Sequence, residues 1–489
     1  MEYDWGQQPT SGVQDITMST PRLLSSGWRI RPRDQRALLL VGDLFVSIVA
    51  LFCGLYFWGQ KDAWLNFSWN FLQARVAFWF YLLPLIWIVL LVELYDLHRA
   101  RNPRQTLTWV AIAGLTGVLL YALVYLISPP NSLPRWGIGI FLIVASVLTL
   151  TWRFLYILLV SAEASQRRVL VIGAGNAGAV IARIWRELRP QPFLLVGFMD
   201  DDPAKIGTRV EGFPVLASND RLLETITRES ITELVVAISG GMQGTTFQAL
   251  LDAQEYGAEV VPMASLYEEL LGRVPVHHLE SDWLIRSFVD QARVGAFYEA
   301  SKRLLDILGS LVGLLLCAGL LPFVSIGILL ESGRPVFYPQ VRSGKGAKPY
   351  TMYKFRSMRQ DAESAGKQLT SRNDTRITRF GNLLRRTHID ELPQFLNVLQ
   401  GSMSLVGPRS ERPEWIEEFQ KQIPFYRARL LVKPGITGWA QVNYSYYATV
   451  EEMAIKLEYD LYYIKHRSLL MDMVILLKTI TQVIGFRGR

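Results

Sequence analysis

The sequence predicts a multidomain membrane protein: a four-helix transmembrane bundle, a Rossmann-like α/β domain, and a second α/β domain entered through a fifth apolar helix. Three observations carry this. Half of the 489 residues are hydrophobic and the mean hydropathy is +0.19. That is too apolar for an ordinary soluble enzyme, while the 19% of charged residues is too many for spans alone. Apolar runs close to the roughly 20 residues that cross a bilayer recur four times before residue 165. A strand entering a Gly-x-Gly-x-x-Gly turn then opens an alternation of strands and helices.

Taken in order, residues 1–30 are polar, rich in Ser, Thr, Gly and Gln, and lack a signal-peptide apolar core, which predicts a disordered cytoplasmic tail. Residues 31–164 hold the four runs, 37–58, 76–94, 107–127 and 136–160. Asp43, Glu93 and Arg153 interrupt them, and Glu93 and Arg153 sit near enough to an end to snorkel. Arg29, Arg31, Arg33 and Arg36 precede the first run, Arg99, Arg101 and Arg104 lie between the second and third, and Arg167 and Arg168 follow the fourth. The other two loops carry only Lys61, Arg75 and Arg135. By the positive-inside tendency the N-terminus is cytoplasmic and four crossings return the chain there.

Residues 165–295 form the α/β domain. Residues 168–172 are a short apolar strand, Gly173, Gly175 and Gly178 are the Rossmann-like loop, and residues 179–188 follow as a helix. A second strand, 193–199, ends in Asp200-Asp201-Asp202, and strand-like runs recur at 233–238 and 258–262. This alternation predicts a doubly wound parallel sheet. The glycines suit a nucleotide phosphate, yet the same glycines also permit tight strand-to-helix packing without a ligand.

A fifth apolar run, 302–331, contains Pro322. Beyond it, residues 332–489 carry 25 basic against 14 acidic residues, a balance of +11 where the whole chain has +8. A straight crossing would export this basic region, against the positive-inside tendency. Two forms are compatible with Pro322: an ordinary kinked span, or a helix that enters one leaflet and returns. The basic region suits anionic lipid headgroups and nucleotide pyrophosphate, and no nucleic-acid-binding module accompanies it. Cys53 and Cys317 lie far apart in apolar runs, so no disulfide framework or zinc site is implied. Residues 336–342 and 349–355 read as a hairpin about the turn 343–346. Its alternation puts Lys354 and Arg356 on one face, either guarding a strand edge or clamping a phosphate.

Residues 375–409 are the densest in chemistry. Asp390-Glu391 stands among Arg376, Arg379, Arg385, Arg386 and Arg409, while Leu383, Leu384, Leu392, Phe395, Leu396 and Leu399 are spaced as an inward helical face. Pro393 places a helix start directly after the acids. An acid pair there is often only a charge match to the helix. With the arginines and the Gly-rich turns at Gly401 and Val406-Gly407-Pro408-Arg409, it becomes a site able to hold a metal-bound acid beside an anionic phosphate.

LLRRTHIDELPQFLNVLQGSMSLVGPR within this stretch, KFRSM at 354–358 and KPGITGWAQV at 433–442 resemble the signature of bacterial polyprenyl-phosphate hexose-1-phosphate transferases, the large monotopic phosphoglycosyl transferases. The resemblance covers about residues 300–489. His388 stands where a small hydroxyl residue is usual, and Ser410 where a proline is usual. The resemblance implies a catalytic domain over 296–489 anchored by a re-entrant membrane helix, 302–331, broken at Leu321-Pro322. Lys302 and Arg303 would then meet a lipid phosphate at headgroup level. It implies transfer of a hexose 1-phosphate from a UDP-hexose to undecaprenyl phosphate, with release of UMP, as the initiating step of exopolysaccharide, capsule or O-antigen synthesis. Asp390 would be the nucleophile, and Glu391 would position the acceptor, move a proton or help hold Mg²⁺, for which Mn²⁺ can substitute. Lys354, Arg356, Arg379, Arg386 and Arg409 would hold the diphosphate. The α/β domain resembles one found between spans and catalytic part in large family members, which implies regulation or assembly.

Residues 459–468, YDLYYIKHRS, resemble a segment near the nucleotide. Asp460 would meet uracil or ribose, or would pair with Lys456 four residues earlier on a helix surface. Residues 468–486 fit an amphipathic helix on the membrane. A membrane-bound nucleotide-sugar dehydratase or epimerase is the rival, since Tyr350 and Lys354 match a Tyr-x-x-x-Lys spacing, but no second Gly-rich cofactor loop follows residue 295. A non-enzymatic regulator of polysaccharide export is the other alternative. The expected location is the bacterial inner membrane, multi-pass, with soluble domains in the cytoplasm. A homodimer is compatible with the sequence, which fixes neither oligomeric state nor sugar.

Overall fold

A computed structural model describes residues 32–62, 64–95, 97–100, 102–127, 134–189, 191–238, 240–278, 295–360, 362, 374–444 and 449–484. The tail expected over 1–30 lies outside the described residues. The chain divides into two compact units. One is built on residues 193–261 with 165–185, and the other joins the N-terminal apolar helices to residues 262–489.

In the membrane part, α1 (Pro32–Gln60), α3 (Pro103–Ile127) and α4 (Arg135–Gln166) each contain a stretch long and apolar enough to cross a bilayer. The second expected span differs. Residues 78–95 form a 3₁₀ turn (Phe78–Leu82), the eight-residue helix α2 (Leu83–Leu90) and a second 3₁₀ turn (Val92–Tyr95). Pro84 lies in the first turn of α2, where its missing N–H is tolerated. Continuing the preceding turn through it would cost a hydrogen bond, so the helix restarts there.

Trp87, Phe71, Phe80 and Phe141 fill the core of the bundle. Arg153 does not snorkel. It is fully buried, its Nε donates to Asp43 Oδ1 at 3.3 Å, Nη2 donates to the other carboxylate oxygen, and Nη1 donates to Leu94 O at 2.8 Å. A buried charge is tolerated only when so paired.

The α/β unit is a six-stranded sheet of order β3-β4-β2-β1-β5-β6. Its strands are β1 (Arg168–Ile172), β2 (Leu194–Met199), β3 (Arg209–Val210), β4 (Phe213–Ala217), β5 (Glu233–Val236) and β6 (Glu259–Pro262). β1 runs parallel to β2 and β5, and β2 parallel to β4, while β3 is antiparallel to β4. The glycine loop joins β1 to α5 (Asn176–Glu187). A Cβ at Gly178 would lie 2.3 Å from Gly173 O, so packing alone requires that glycine, whereas nothing lies within 4 Å of a Cβ at Gly175. Asp200 Oδ2 accepts from Ala174 N at 2.7 Å and from Lys205 Nζ at 3.0 Å, which ties the end of β2 to the loop.

Helices α6 (Leu222–Glu229) and α7 (Gly244–Glu255) complete the strand-helix alternation. Next comes α8 (Met263–Leu271), which belongs with the C-terminal domain rather than with the sheet. Tyr267 Oη donates to Glu458 Oε2 at 2.9 Å, Lys465 reaches Glu268 at 2.8 Å, and Val274 and Val276 are buried in the C-terminal core. Residues 263–278 therefore depart from the expected division at 295, because their apolar side chains find cover in the later domain.

The long helix α9 (Ala296–Ser332) runs 37 residues, with Pro322 inside it. One face is seated on the domain. A Cβ at Gly313 would come within 2.4 Å of the Phe395 ring and one at Gly327 within 2.4 Å of the Phe380 ring, so both contacts demand glycine. The opposite face exposes Leu304, Leu308, Leu311, Leu315, Phe323 and Leu330. Next come the hairpin β7 (Phe337–Ser343) with β8 (Pro349–Phe355), then α10 (Arg379–Arg386), α11 (Gln394–Gln400), β9 (Ser404–Val406), α12 (Pro413–Phe419), β10 (Gly435–Thr437), α13 (Val450–His466) and α14 (Leu469–Ile484). The hairpin falls within one residue of its expected bounds. α14 buries Asp472 and Ile475 and exposes Met473 and Ile480.

Candidate active site

Two short helices and a turn fix the acid pair. Thr378 caps α10 by accepting from Gly381 N at 2.9 Å. The chain then reverses at His388, whose φ of 59° lies in the left-handed region that few residues other than glycine adopt. Asp390 and Glu391 form the 3₁₀ turn that follows (Ile389–Glu391), and Pro393 leads into α11. The single inward face expected across 383–399 is thus two helices, with Leu384 buried on one side of the turn and Leu383 and Leu396 exposed.

Asp390 and Glu391 are 7% and 8% exposed. Glu391 Oε1 accepts from Lys354 Nζ on β8 and from Arg409 Nη2 beyond β9, both at 2.7 Å. Burial alone would raise the Glu391 carboxyl, but Arg409 and Lys354 hold it well below the usual range. Burial also acts on Asp390, and with the adjacent Glu391 charge it outweighs Lys354, Arg385 and Arg409, pushing this carboxyl up to about 6. Among the described residues no hydrogen bond or ion pair occupies the Asp390 carboxylate. Burial and the Arg409 charge lower the Lys354 ammonium from its ordinary value despite Glu391.

The expected site residues separate into two groups. Asp390, Glu391, Lys354 and Arg409 come together. Arg385 faces the acids, held by donation from its Nε to Ser357 Oγ at 2.9 Å, and sequence reasoning had favoured Arg386, whose side chain is exposed. Arg379 is also exposed, and its backbone N–H donates to Glu331 Oε1 at 2.7 Å. Arg356 donates to Arg334 O at 3.0 Å, away from the acids.

Asp460 is 1% exposed and accepts from Arg429 Nη2 at 2.8 Å, so neither a nucleotide contact nor a surface pair with Lys456 describes it. Lys456 instead donates to Glu411 Oε1 at 2.7 Å. Arg429 Nη2 also donates to Arg409 O at 3.0 Å, placing this buried network directly behind a site arginine. Glu411 and Arg429 escaped the sequence reading. Their only signal was a lone acid two residues after Arg409 and an arginine before the Lys433-Pro434-Gly435 turn.

Lys302 and Arg303, expected at a lipid phosphate, are engaged by the protein. Lys302 Nζ donates to Val406 O at 3.1 Å, Tyr463 Oη at 3.2 Å and Asp472 Oδ2 at 2.9 Å. Arg303 donates to Val398 O and Leu399 O at 2.8 and 2.7 Å.

Among the described residues no group of three or more His, Cys, Asp or Glu side chains forms a metal cage. Mg²⁺ usually takes one or two carboxylates and completes its shell with waters and substrate phosphates. Asp390 and the second oxygen of Glu391 fit that partial donor set.

The fold and this site define a membrane-associated multidomain protein whose C-terminal domain buries an acid pair among cations. The profile described as bacterial sugar transferase matches residues 297–486, and one described as a CoA-binding domain matches residues 90–243. A UDP-glucose:undecaprenyl-phosphate glucose-1-phosphate transferase of Xanthomonas campestris pv. campestris is 31% identical over 425 residues, covering 82% of this chain and 85% of the relative. The chain belongs to the bacterial sugar transferase family. A UDP-N-acetylgalactosamine-undecaprenyl-phosphate N-acetylgalactosaminephosphotransferase of Aeromonas hydrophila is 42% identical over 231 residues, 47% of this chain. The chain spans 53% of that relative's length. A UDP-glucose:undecaprenyl-phosphate glucose-1-phosphate transferase of Escherichia coli (strain K12) is 41% identical over 181 residues, 37% of this chain and 39% of the relative.

Proposed function

We propose that the protein moves a sugar 1-phosphate from a UDP-sugar to undecaprenyl phosphate through a covalent intermediate on Asp390. The observation that carries this reading is the asymmetry of the acid pair. Glu391 is gripped by two cations, whereas Asp390 is buried beside them with its carboxylate unengaged among the described residues. A carboxylate so placed is a competent nucleophile for phosphorus. Its oxygen attacks the sugar-proximal phosphorus, the bond to the UMP oxygen breaks, and UMP leaves with the electron pair. A phosphate oxygen of undecaprenyl phosphate then attacks the same phosphorus, and the Asp390 carboxylate departs unchanged. Lys354, Arg385 and Arg409 offset the charge on the nonbridging oxygens. A bound Mg²⁺, held by Asp390 and Glu391, would supply further charge neutralisation on the diphosphate.

A return of α9 to the face it entered would serve this chemistry, because donor and acceptor would then meet on one side. Near one end Lys302 binds Val406 O, and at the other Glu331 accepts from the Arg379 and Phe380 N–H groups at 2.7 and 2.8 Å. At about 1.5 Å per residue a straight helix of this length would be near 55 Å, well beyond the roughly 30 Å hydrocarbon layer. A single domain holding both ends favours re-entry, with Pro322 as the place where this otherwise continuous helix bends. The basic loops favour a cytoplasmic face of the bacterial inner membrane. In the α/β domain the open space at Gly175 favours a nucleotide phosphate as a regulatory ligand, although Asp200 is already committed to Ala174 N and Lys205. The similar proteins named for glucose and for N-acetylgalactosamine leave the sugar open.

The test is UMP release from radiolabelled UDP-glucose and UDP-N-acetylgalactosamine with and without undecaprenyl phosphate, for the parent and Asp390→Asn. Transfer is expected only in the parent, and quenched parent protein should gain one sugar phosphate at Asp390. Substantial turnover by the variant would end the covalent scheme.

A further inference from the structure

We infer that Lys302, Arg303 and Asp306, on the first turns of α9, are positioning residues that hold the two halves of the acid site in register; this rests on the reading of Asp390–Glu391 as the reacting pair. Strand β9 leads into Arg409, whose guanidinium grips Glu391. Asp306 is 3% exposed, and its Oδ1 accepts from Leu405 N and from Ser404 Oγ, both at 2.9 Å. One turn earlier Lys302 donates to the next carbonyl along, Val406 O. Consecutive residues of the strand are thus held, one at its N–H and one at its C=O, by side chains four apart on one helix face.

The other half is held from the same helix. α11 begins directly after the acid turn and is capped at Gly401, whose N–H donates to Val398 O at 3.0 Å. Arg303 adds donation to Val398 O and to Leu399 O, and its charge suits that helix end. The segment carrying Arg409 and the segment carrying Asp390 and Glu391 therefore share one rigid support, which is the start of the membrane helix itself. Asp472, fully buried on α14, fixes Lys302 from behind at 2.9 Å, and Tyr463 adds a second contact at 3.2 Å. With these bonds made, the two cations are committed to the protein rather than to a lipid phosphate.

The test uses the full chain in membranes: Lys302→Met and Arg303→Met, with Lys302→Arg and Arg303→Lys as rescues, beside Asp390→Asn. The methionine variants should lose roughly 10- to 100-fold in kcat, the scale expected when reacting groups are misplaced by about 1 Å. KM for undecaprenyl phosphate should stay within about threefold. The conservative variants should recover most of the lost kcat. A raised KM for undecaprenyl phosphate, with kcat unmoved, would overturn the inference and return the two cations to lipid binding. If both methionine variants are lost from the membrane fraction, Ser404→Ala decides: a lowered kcat at unchanged KM upholds the clamp, and an unchanged kcat overturns it. Turnover by Asp390→Asn would instead remove the underlying reading, so the two failures are separable.

Discussion

Asp390 and Glu391 share one turn, yet their surroundings drive the two carboxyls apart. The acid with two cations on one oxygen stays ionised, while its neighbour is buried beside that charge and is pushed up to about 6. A nucleophilic carboxylate must be ionised, so kcat/KM should rise with pH through about 6 and level off above it. Glu391→Gln removes the negative neighbour that raises Asp390, so the rise should shift to lower pH; an unmoved or upward-shifted profile would contradict the assignment. The sequence made the acids, Lys354 and Arg409 legible because cations and carboxylates at a short spacing have few bland explanations. It did not separate Arg385 from Arg386. What distinguishes Arg385 is its bond to Ser357, 28 residues earlier in the chain, which no local pattern announces. Asp460, Lys302 and Arg303 read as ligand contacts for one reason: a charged side chain is expected at the surface from local sequence, and here each bonds to a partner remote in sequence.

At the scale of elements, the helix α9 was legible as apolar, but its seat was not. Gly313 and Gly327 allow the Phe395 and Phe380 rings to lie against its backbone. Gly313→Leu should force helix and ring apart at a cost of about 1–3 kcal/mol. It should lower the thermal midpoint measured in detergent and depress transfer, whereas Leu311→Ala on the exposed face should change the midpoint little. The hairpin was read within a residue because period-two alternation around a Ser343-Gly344-Lys345-Gly346 turn admits few registers. The second apolar run was misread as one helix, since hydropathy is blind to where Pro84 makes a helix restart.

For the whole molecule, the boundary between sheet and catalytic part lies near residue 262. Val274 and Val276 are buried in the later core, each contributing about 1.5–3 kcal/mol. Arg273 and Tyr267 meet Glu458, whose carboxyl burial pushes up to about 7. A fragment starting at residue 262 is therefore expected to resist proteolysis and heating better than one starting at 296, and equal behaviour would show that this strap is dispensable. Composition could not place the join, because 263–278 reads as a continuation of the sheet's alternation until its apolar side is seen to be covered elsewhere.

The ion pair between Asp43 and Arg153 has a consequence for biosynthesis. Its members are 110 residues apart in the chain. At about 5–20 residues per second, the ribosome emits the arginine roughly 5–20 s after the aspartate. In a bilayer the first span would spend that interval with an uncompensated acid, so its insertion is best completed only when the last of the N-terminal helices arrives to neutralise it.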